Sequence, residues 1–263
     1  MSYILILLFG LCIGSFLNVV ICRLKTKESI FIGRSYCPQC RAVLKWYDLI
    51  PVLSFLIQKG KCRYCNKKIS WQYPIIEIIT ACLFLLIFNF SAKGGPASGW
   101  QFLNLIYYLI ITSFLIIIFV YDLKRYIIPD KIVYPAIIVS GIWYLVSGIF
   151  IQDTKYEILN TILAAFMASG FFLFLVLVSK GKWMGLGDVK LAFLMGLILG
   201  WPNILLALFL SFFSGAIVGV GLIMLHKKGF KSEIPFGPFL SASTIFILLY
   251  GSQIIEKFLN GFF

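Results

Sequence analysis

Long runs of apolar residues, separated by short polar or basic stretches, make up most of this chain. Seven runs have about the 17–25 residues that a helix needs to cross a bilayer. They span residues 3–22, 73–90, 102–121, 132–151, 158–179, 203–225 and 238–255. An eighth run, 189–200, has 12 residues and ends before Trp201-Pro202, which leaves open a short, tilted or half-inserted helix. The pattern predicts an all-α polytopic membrane protein of about eight hydrophobic helices.

Composition agrees with this interpretation. Hydrophobic residues form 61% of the chain and charged residues 13%, against roughly 25% charged in soluble domains. The first run has no basic segment before it and no small-residue cleavage site, so it does not resemble a cleaved signal peptide. We expect a retained first helix with its N-terminus outside.

The distribution of Lys and Arg predicts the orientation of the loops. An eight-crossing topology with the N-terminus outside places the loops 23–72, 122–131, 180–190 and 226–231 inside, and these hold 20 of the 23 Lys/Arg residues. Inside loops of membrane proteins carry such an excess. The net charge of +13 is therefore interpreted as basic residues facing anionic lipid headgroups. DNA binding by the basic loop is the weaker alternative, and no nucleic-acid partner is expected.

The loop after the first helix contains four of the seven cysteines. They form two C-x-x-C pairs, Cys37/Cys40 and Cys62/Cys65, with 21 residues between the pairs. This spacing is typical of a zinc ribbon, in which four thiolates fill the tetrahedral shell of a structural ion. Disulfides or free thiols are the alternative, which a reducing cytoplasmic location would disfavour. The predicted domains are a first transmembrane helix (1–22), a cytoplasmic zinc-binding insert (23–72) and a transmembrane bundle (73–263).

Four of the ten acidic residues lie within or against the apolar runs: Glu77, Asp122, Asp130 and Asp188. Charges there are costly and point to function. The predicted topology places Asp122 and Asp188 at similar depth on the cytoplasmic side, as aspartic proteolysis would require of two carboxylates that share a proton. For Asp130 an N-cap role is favoured, and Glu77 is a candidate for a second site.

The residues around Asp188 support the same hypothesis. Gly185 and Gly187 would allow a peptide backbone to approach closely, while Lys190 would anchor the loop or tune the two acids. An N-cap role for Asp188 is the structural alternative. The chain has one histidine, so a Ser-His-Asp or Cys-His mechanism is not expected.

Several blocks, in this order, resemble bacterial prepilin peptidases of the GxGD class of intramembrane aspartic proteases. They are IGSFLNVVICRL (13–24), CPQC (37–40), DLIP (48–51), GKCRYCNKKISWQYPIIEIIT (60–80), GLGDVKL (185–191) and PFGPFL (235–240). The resemblance covers nearly the whole chain. The family often has a proline where this chain has Lys25, which weakens residue-level inference about a methyltransferase site.

The resemblance implies a multi-pass enzyme of the bacterial inner membrane that serves type IV pili and protein secretion. It would remove the short basic leader of prepilins and pseudopilins on the cytoplasmic side, with Asp122 and Asp188 as catalytic residues. The cysteine-rich insert, with Cys37, Cys40, Cys62 and Cys65 as metal ligands, favours a second activity, N-methylation of the new N-terminus with S-adenosylmethionine. The alternatives are a peptidase without methyl transfer, a proton-coupled transporter and a membrane-anchored zinc-ribbon scaffold. The oligomeric state is left open.

Overall fold

The structure is a computed structural model that describes residues 2–26, 29, 33–92, 99–150, 154–225 and 234–260. Within these ranges the chain forms helices joined by short connections. Their bounds are α1 Ser2–Thr26, α2 Leu53–Ile57, α3 Gln72–Ala92, α4 Gly99–Arg125, α5 Asp130–Phe150, α6 Thr154–Ser179, α7 Leu186–Leu199, α8 Asn203–Met224 and α9 Gly237–Asn260. The predicted apolar runs coincide with α1 and α3–α9. The predicted inside loop 226–231 lies outside the described residues.

Seven of the described helices are long and apolar enough to cross a membrane, so the prediction of an all-α polytopic membrane protein is confirmed. Helix α7 is not one of them. Its 14 residues extend about 21 Å at 1.5 Å per residue, which is less than the roughly 30 Å of a hydrocarbon core. That α7 crosses the membrane stays a prediction.

The chain divides into two compact units, residues 1–113 and 114–263. In the first unit α1 packs closely along α3. A Cβ at Gly10 would lie 2.6 Å from the Cα of Ala81, and one at Gly14 would lie 2.6 Å from the Cα of Glu77. Small residues four positions apart on one helix face permit this close approach of two backbones. The predicted domain boundaries 1–22, 23–72 and 73–263 stay predictions.

Between α1 and α3 the insert contains two turns of the same design. In the first, the Cys37 N–H donates to the Ala42 carbonyl at 3.0 Å; in the second, the Cys62 N–H donates to the Lys67 carbonyl at 2.9 Å. The fifth residue of each turn has a positive φ, 56° at Arg41 and 55° at Asn66. The repeated backbone geometry turns each C-x-x-C pair back on itself.

In the second unit α7 is the central helix. It contacts α5, α6, α8 and α9, and Leu191, Leu194 and Met195 on it are fully buried. A helix that is enclosed in this way must be apolar all round, which accounts for the absence of a polar face in its sequence. A Cβ at Gly196 would overlap the Cα of Ala165, so α7 and α6 are in backbone contact there.

Candidate active site and metal site

The second unit contains a cavity of about 460 Å³ at the start of α7. Its wall comes from the end of α4, the start of α5, the connection before α7, the first turns of α7 and the residues before α9. The lining residues are Asp122, Tyr126, Ile127, Ile128, Asp130, Gly181, Lys182, Trp183, Met184, Gly185, Gly187, Asp188, Lys190, Ile234, Pro235 and Phe236. The structure therefore brings together five residues of the predicted peptidase site: Asp122, Gly185, Gly187, Asp188 and Lys190.

Asp122 lies in the last turn of α4, and 4% of its surface is exposed. The backbone N–H of Gly237, at the start of α9, donates a hydrogen bond to its carboxylate. This approach is close, because a Cβ at Gly237 would lie 2.6 Å from Asp122 Oδ2. Because Gly237 has no side chain, the Asp122 carboxylate can occupy its position in the cavity wall.

Asp188 is the third residue of α7, and its carboxylate faces the same cavity. Gly185 is the N-cap residue, and its N–H donates to Asp188 Oδ2 at 3.2 Å. The carboxylate therefore reaches back to the N-cap amide from inside the helix, and the alternative that Asp188 is itself the N-cap is wrong. Burial raises the pKa of Asp188 to about 6, the Gly185 N–H opposes this, and the charge of Asp122 raises it further.

The two glycines before Asp188 differ in their surroundings. A Cβ at Gly187 would lie 3.0 Å from the Cβ of Ile128, whereas one at Gly185 would meet only the Gly187 nitrogen at 3.8 Å. Gly185 has an ordinary extended backbone, with φ −87° and ψ 160°. Gly187 is therefore needed for the contact of α7 with the connection between α4 and α5, whereas Gly185 leaves open space at the cavity.

Lys190 joins α7 to α5 by an ion pair. Its Nζ lies 2.7 Å from Asp130 Oδ1 and 5.0 Å from the centre of the Tyr134 ring. Asp130 is the first residue of α5, and the carbonyl of Pro129 before it accepts the first helical bonds from Ile132 and Val133. Asp130 thus follows the N-cap position, and its carboxylate pairs with Lys190.

In the first unit the four predicted metal ligands form one cluster. The sulfur atoms of Cys37, Cys40, Cys62 and Cys65 all lie within 4.8 Å of one another, and Cys37 Sγ is 3.9 Å from Cys65 Sγ. Zinc–sulfur bonds of about 2.3 Å in tetrahedral geometry place sulfur atoms about 3.8 Å apart. The cluster has the size and the donor set that a tetrahedral metal ion requires.

Asp48 connects the segment between the two cysteine turns to the second turn. Its carboxylate lies 3.0 Å from Arg63 Nε and accepts hydrogen bonds from Tyr64 and Gln58. Arg63 and Tyr64 are the two residues between Cys62 and Cys65. The Asp48 side chain is only 2% exposed, whereas the Arg63 side chain is 46% exposed, so a buried carboxylate holds the second turn in place from within.

Glu77 lies in the first unit, one turn inside α3, and is 6% exposed. Its Oε2 accepts a hydrogen bond of 2.7 Å from the Val52 N–H, and Ser15 donates a second. Glu77 thus fastens the insert to α1 and α3. This structural role accounts for its burial and leaves a second site at Glu77 a prediction.

Three features of the site were not identified from the sequence: the contact of Gly237 with Asp122, the position of Ile128 and the pairing of Asp130 with Lys190. Gly237 is the one glycine of the motif PFGPFL, but nothing in that motif indicates that it would contact a carboxylate. The signal for Asp130 was its position beside an apolar run, which is shared by ordinary helix-capping residues.

Carboxylates on the wall of one cavity, in a bundle of membrane helices, are typical of membrane proteins that transfer protons. Proton-coupled transporters and aspartic peptidases are both of this class. Comparison with known families decides between them. Residues 8–90 match the bacterial peptidase A24 N-terminal domain and residues 109–220 match the type IV leader peptidase family. The chain belongs to the type IV leader peptidase family.

Curated relatives extend this likeness to nearly the full chain. A prepilin leader peptidase/N-methyltransferase of Bacillus subtilis is 34% identical over 97% of each chain. Proteins of the same name from Aeromonas hydrophila and Legionella pneumophila are 31% and 29% identical, over 98% of this chain and 94% of theirs. A search of solved structures finds no significant match. The predicted family is confirmed, and the chain is a multi-pass protein of the bacterial inner membrane.

Proposed function

We propose that this chain removes the leader peptide of type IV prepilins and pseudopilins, with Asp122 and Asp188 as its catalytic residues. The proposal rests on the observation that both carboxylates line one cavity. It is also supported by relatives named prepilin leader peptidase/N-methyltransferase, which match this chain over nearly their full length. A transporter would be expected to hold its acids near the membrane midplane on broken helices, whereas these lie in the last turn of α4 and the first turn of α7.

The chemistry follows from two carboxylates that share one proton, because like charges at close range do not both ionise. The ionised carboxylate takes a proton from a water molecule as its oxygen attacks the scissile carbonyl carbon. The protonated carboxylic acid gives its proton to the carbonyl oxygen. The tetrahedral diol then collapses, a proton passes to the amide nitrogen, and the leader leaves with a new carboxylate while the pilin has a new amine.

The environment of Asp188 supports this division of roles. With a pKa of about 6, Asp188 holds a proton more readily than an exposed aspartic acid, whose pKa is about 3.9. Its hydrogen bond from the Gly185 N–H fixes one carboxylate oxygen and favours the ionised form. Both protonation states are therefore accessible near neutral pH, as an acid that becomes a base within one turnover requires.

The residues of the cavity also support binding of an extended peptide. Gly185 leaves open space beside Asp188, and the exposed rings of Trp183 and Tyr126 add apolar surface to the wall. The mature part of the substrate is an apolar helix, so we infer that it is recognised by packing in the bilayer rather than by attraction between charges.

A second proposed activity is N-methylation of the new N-terminus, with S-adenosylmethionine as the donor. Its support is the name N-methyltransferase shared by the relatives and the cysteine insert, which lies within the residues 8–90 that match the bacterial peptidase A24 N-terminal domain. The donor supplies an electrophilic methyl group, and the pilin amine must lose a proton when the new carbon–nitrogen bond forms. No residue of this chain is assigned to the donor.

We infer that the four-cysteine cluster holds a structural zinc ion. Cys37, Cys40, Cys62 and Cys65 would supply four thiolates and leave no open position for a substrate. The ion would join the two C-x-x-C turns, which are also linked by a hydrogen bond from Lys67 Nζ to Gln39 Oε1. Its role would be to stabilise the fold of the insert.

The proposed orientation has the N-terminus outside and the insert in the cytoplasm. It rests on the 20 of 23 Lys/Arg residues that this orientation assigns to inside loops. It also places the end of α4 and the start of α7 at the cytoplasmic side, where leader cleavage would occur.

The test is cleavage of a purified prepilin by the purified full-length chain in detergent or nanodiscs, with Asp122→Asn beside the wild type. We expect the wild type to release the leader and the variant, which is almost isosteric, to retain its fold and lose cleavage. Absence of cleavage by the folded wild type would contradict the proposed function. Labelled S-adenosylmethionine tests the second activity, because failure of the label to reach the trimmed N-terminus would leave a peptidase only.

A further inference from the structure

One wall of the cavity carries an ion pair that the proposed chemistry does not use. Asp130 begins α5 and Lys190 lies in the first turns of α7, and their charged atoms are 2.7 Å apart. Both residues line the cavity together with Asp122 and Asp188. The pair is partly exposed, with 58% of the Asp130 side chain and 31% of the Lys190 side chain accessible, so its energy contributes little to stability.

The direction of the Lys190 side chain follows from its position in the helix. It comes two residues after Asp188, and side chains two positions apart on a helix point to different faces. Lys190 therefore extends toward α5, where Asp130 accepts a hydrogen bond from it and the Tyr134 ring lies 5.0 Å away. Asp130 thus holds a positive charge at a fixed place on the cavity wall.

Several basic residues lie near the two aspartates in the chain: Lys124 and Arg125 end α4, Lys131 follows Asp130, and Lys180 and Lys182 precede α7. The titratable residues that line the cavity are Asp122, Tyr126, Asp130, Lys182, Asp188 and Lys190. Helix α8 has no charged residue, and the charged residues of α6 and α9 lie at the helix ends away from the cavity: Lys155, Glu157, Glu256 and Lys257. Because the pair lines the same cavity as the two aspartates, the loss of one partner changes the net charge of that wall by one unit.

We propose that the Asp130–Lys190 ion pair cancels its own charge on the cavity wall beside the two aspartates, so that Asp122 and Asp188 retain one shared proton at neutral pH. The inference rests on the proposed peptidase function and extends it to two positioning residues that act through charge. An uncompensated lysine would favour ionisation of both carboxylates, and an uncompensated aspartate would favour protonation of both.

In the intact pair the two opposite charges lie 2.7 Å apart, so at a greater distance their fields largely cancel. If one partner of the pair is removed, a full charge remains at the wall. Two unit charges roughly 10 Å apart at an effective dielectric constant of about 20 interact strongly enough to move a pKa by on the order of one unit.

The experiment compares the pH dependence of prepilin cleavage for Asp130→Asn, Lys190→Met and the double variant. We expect a bell-shaped profile, with its optimum at lower pH in Asp130→Asn and at higher pH in Lys190→Met. Each shift should be about 0.5–1 pH unit. In the double variant the optimum should return to the wild-type value. Lys180→Met removes one charge from an exposed residue that does not line the cavity, so it is the matched control and should leave the optimum unchanged.

A mechanical clamp between α5 and α7 would give a different result. Both single variants would then lose activity at every pH, the optimum would not move, and the double variant would be no better than either. That outcome, or shifts in the same direction for both single variants, would overturn the inference.

A second measurement separates this inference from the proposed function. The inflection in melting temperature against pH that belongs to Asp188 should move down in Asp130→Asn and up in Lys190→Met. This readout requires no substrate. Failure of wild-type cleavage would contradict the peptidase proposal, whereas an unmoved inflection in both variants would contradict the inference about the ion pair.

Discussion

Replacement of Gly237 by alanine tests whether the position of the Asp122 carboxylate determines activity. The new Cβ would lie 2.6 Å from Asp122 Oδ2, whereas ordinary van der Waals contact begins near 3.4 Å. The carboxylate must therefore move by the difference, about 0.8 Å. The Cβ would also lie 3.3 Å from Ile128 Cδ1, which limits the directions in which the structure can adjust.

Displacements of about 1 Å in a catalytic group reduce rates by on the order of 100-fold, or about 2.7 kcal/mol in the activation free energy. We expect Gly237→Ala to lower kcat for prepilin cleavage by 10- to 100-fold, with a smaller change in KM. The melting temperature should change little, because alanine is favoured over glycine in a helix and the displaced group is a short side chain.

The assay is steady-state cleavage of purified prepilin by the full-length protein, with thermal unfolding measured on the same samples. Gly170→Ala is the matched control, because a Cβ there meets nothing within 4 Å, and it should cleave at the wild-type rate. Wild-type kcat in a folded Gly237→Ala variant would refute the argument that this contact places Asp122.

Further predictions concern the metal, the pH dependence of stability and the helix contact of the first unit. Cys62→Ser should reduce bound zinc to well below one ion per chain by elemental analysis and lower the melting temperature; full zinc occupancy would contradict the four-thiolate site. Asp188→Asn should raise the melting temperature much more at pH 7.5 than at pH 4. The raised pKa of Asp188 means that the native state loses stability as the pH rises from about 4 to about 6; an increase that is equal at both pH values would refute this. Gly10→Val should lower the melting temperature, since even a Cβ would lie 2.6 Å from the Ala81 Cα; Gly221→Val has open space and is its control.

The helices could be predicted from the sequence because burial in lipid requires long uninterrupted apolar runs. The predicted run 203–225 corresponds to α8 within one residue, and the short run 189–200 corresponds to α7. The sequence could not indicate why α7 is short. Its central position in the second unit means that it is covered by other helices, and a hydropathy pattern does not distinguish that cover from lipid.

Parts of the candidate site could be predicted from the sequence, because acidic residues beside apolar runs are energetically costly and metal-binding cysteines have a fixed spacing. Two C-x-x-C pairs predicted the four-sulfur cluster, and acids beside apolar runs predicted the approach of Asp122 and Asp188 to one cavity. The sequence pattern wrongly favoured an N-cap role for Asp130, because it does not show that Lys190 lies close enough to form an ion pair with Asp130. Gly237 could not be assigned either, since its contact with Asp122 joins residues 115 positions apart.

The most direct test of the central claim compares Asp122→Asn, Asp188→Asn and the double variant in prepilin cleavage by folded, purified protein. If the two carboxylates act as one unit, each single variant loses nearly all cleavage and the double variant is no slower than the singles, because residues that act together are strongly non-additive. Cleavage at the wild-type rate by either single variant would contradict the account.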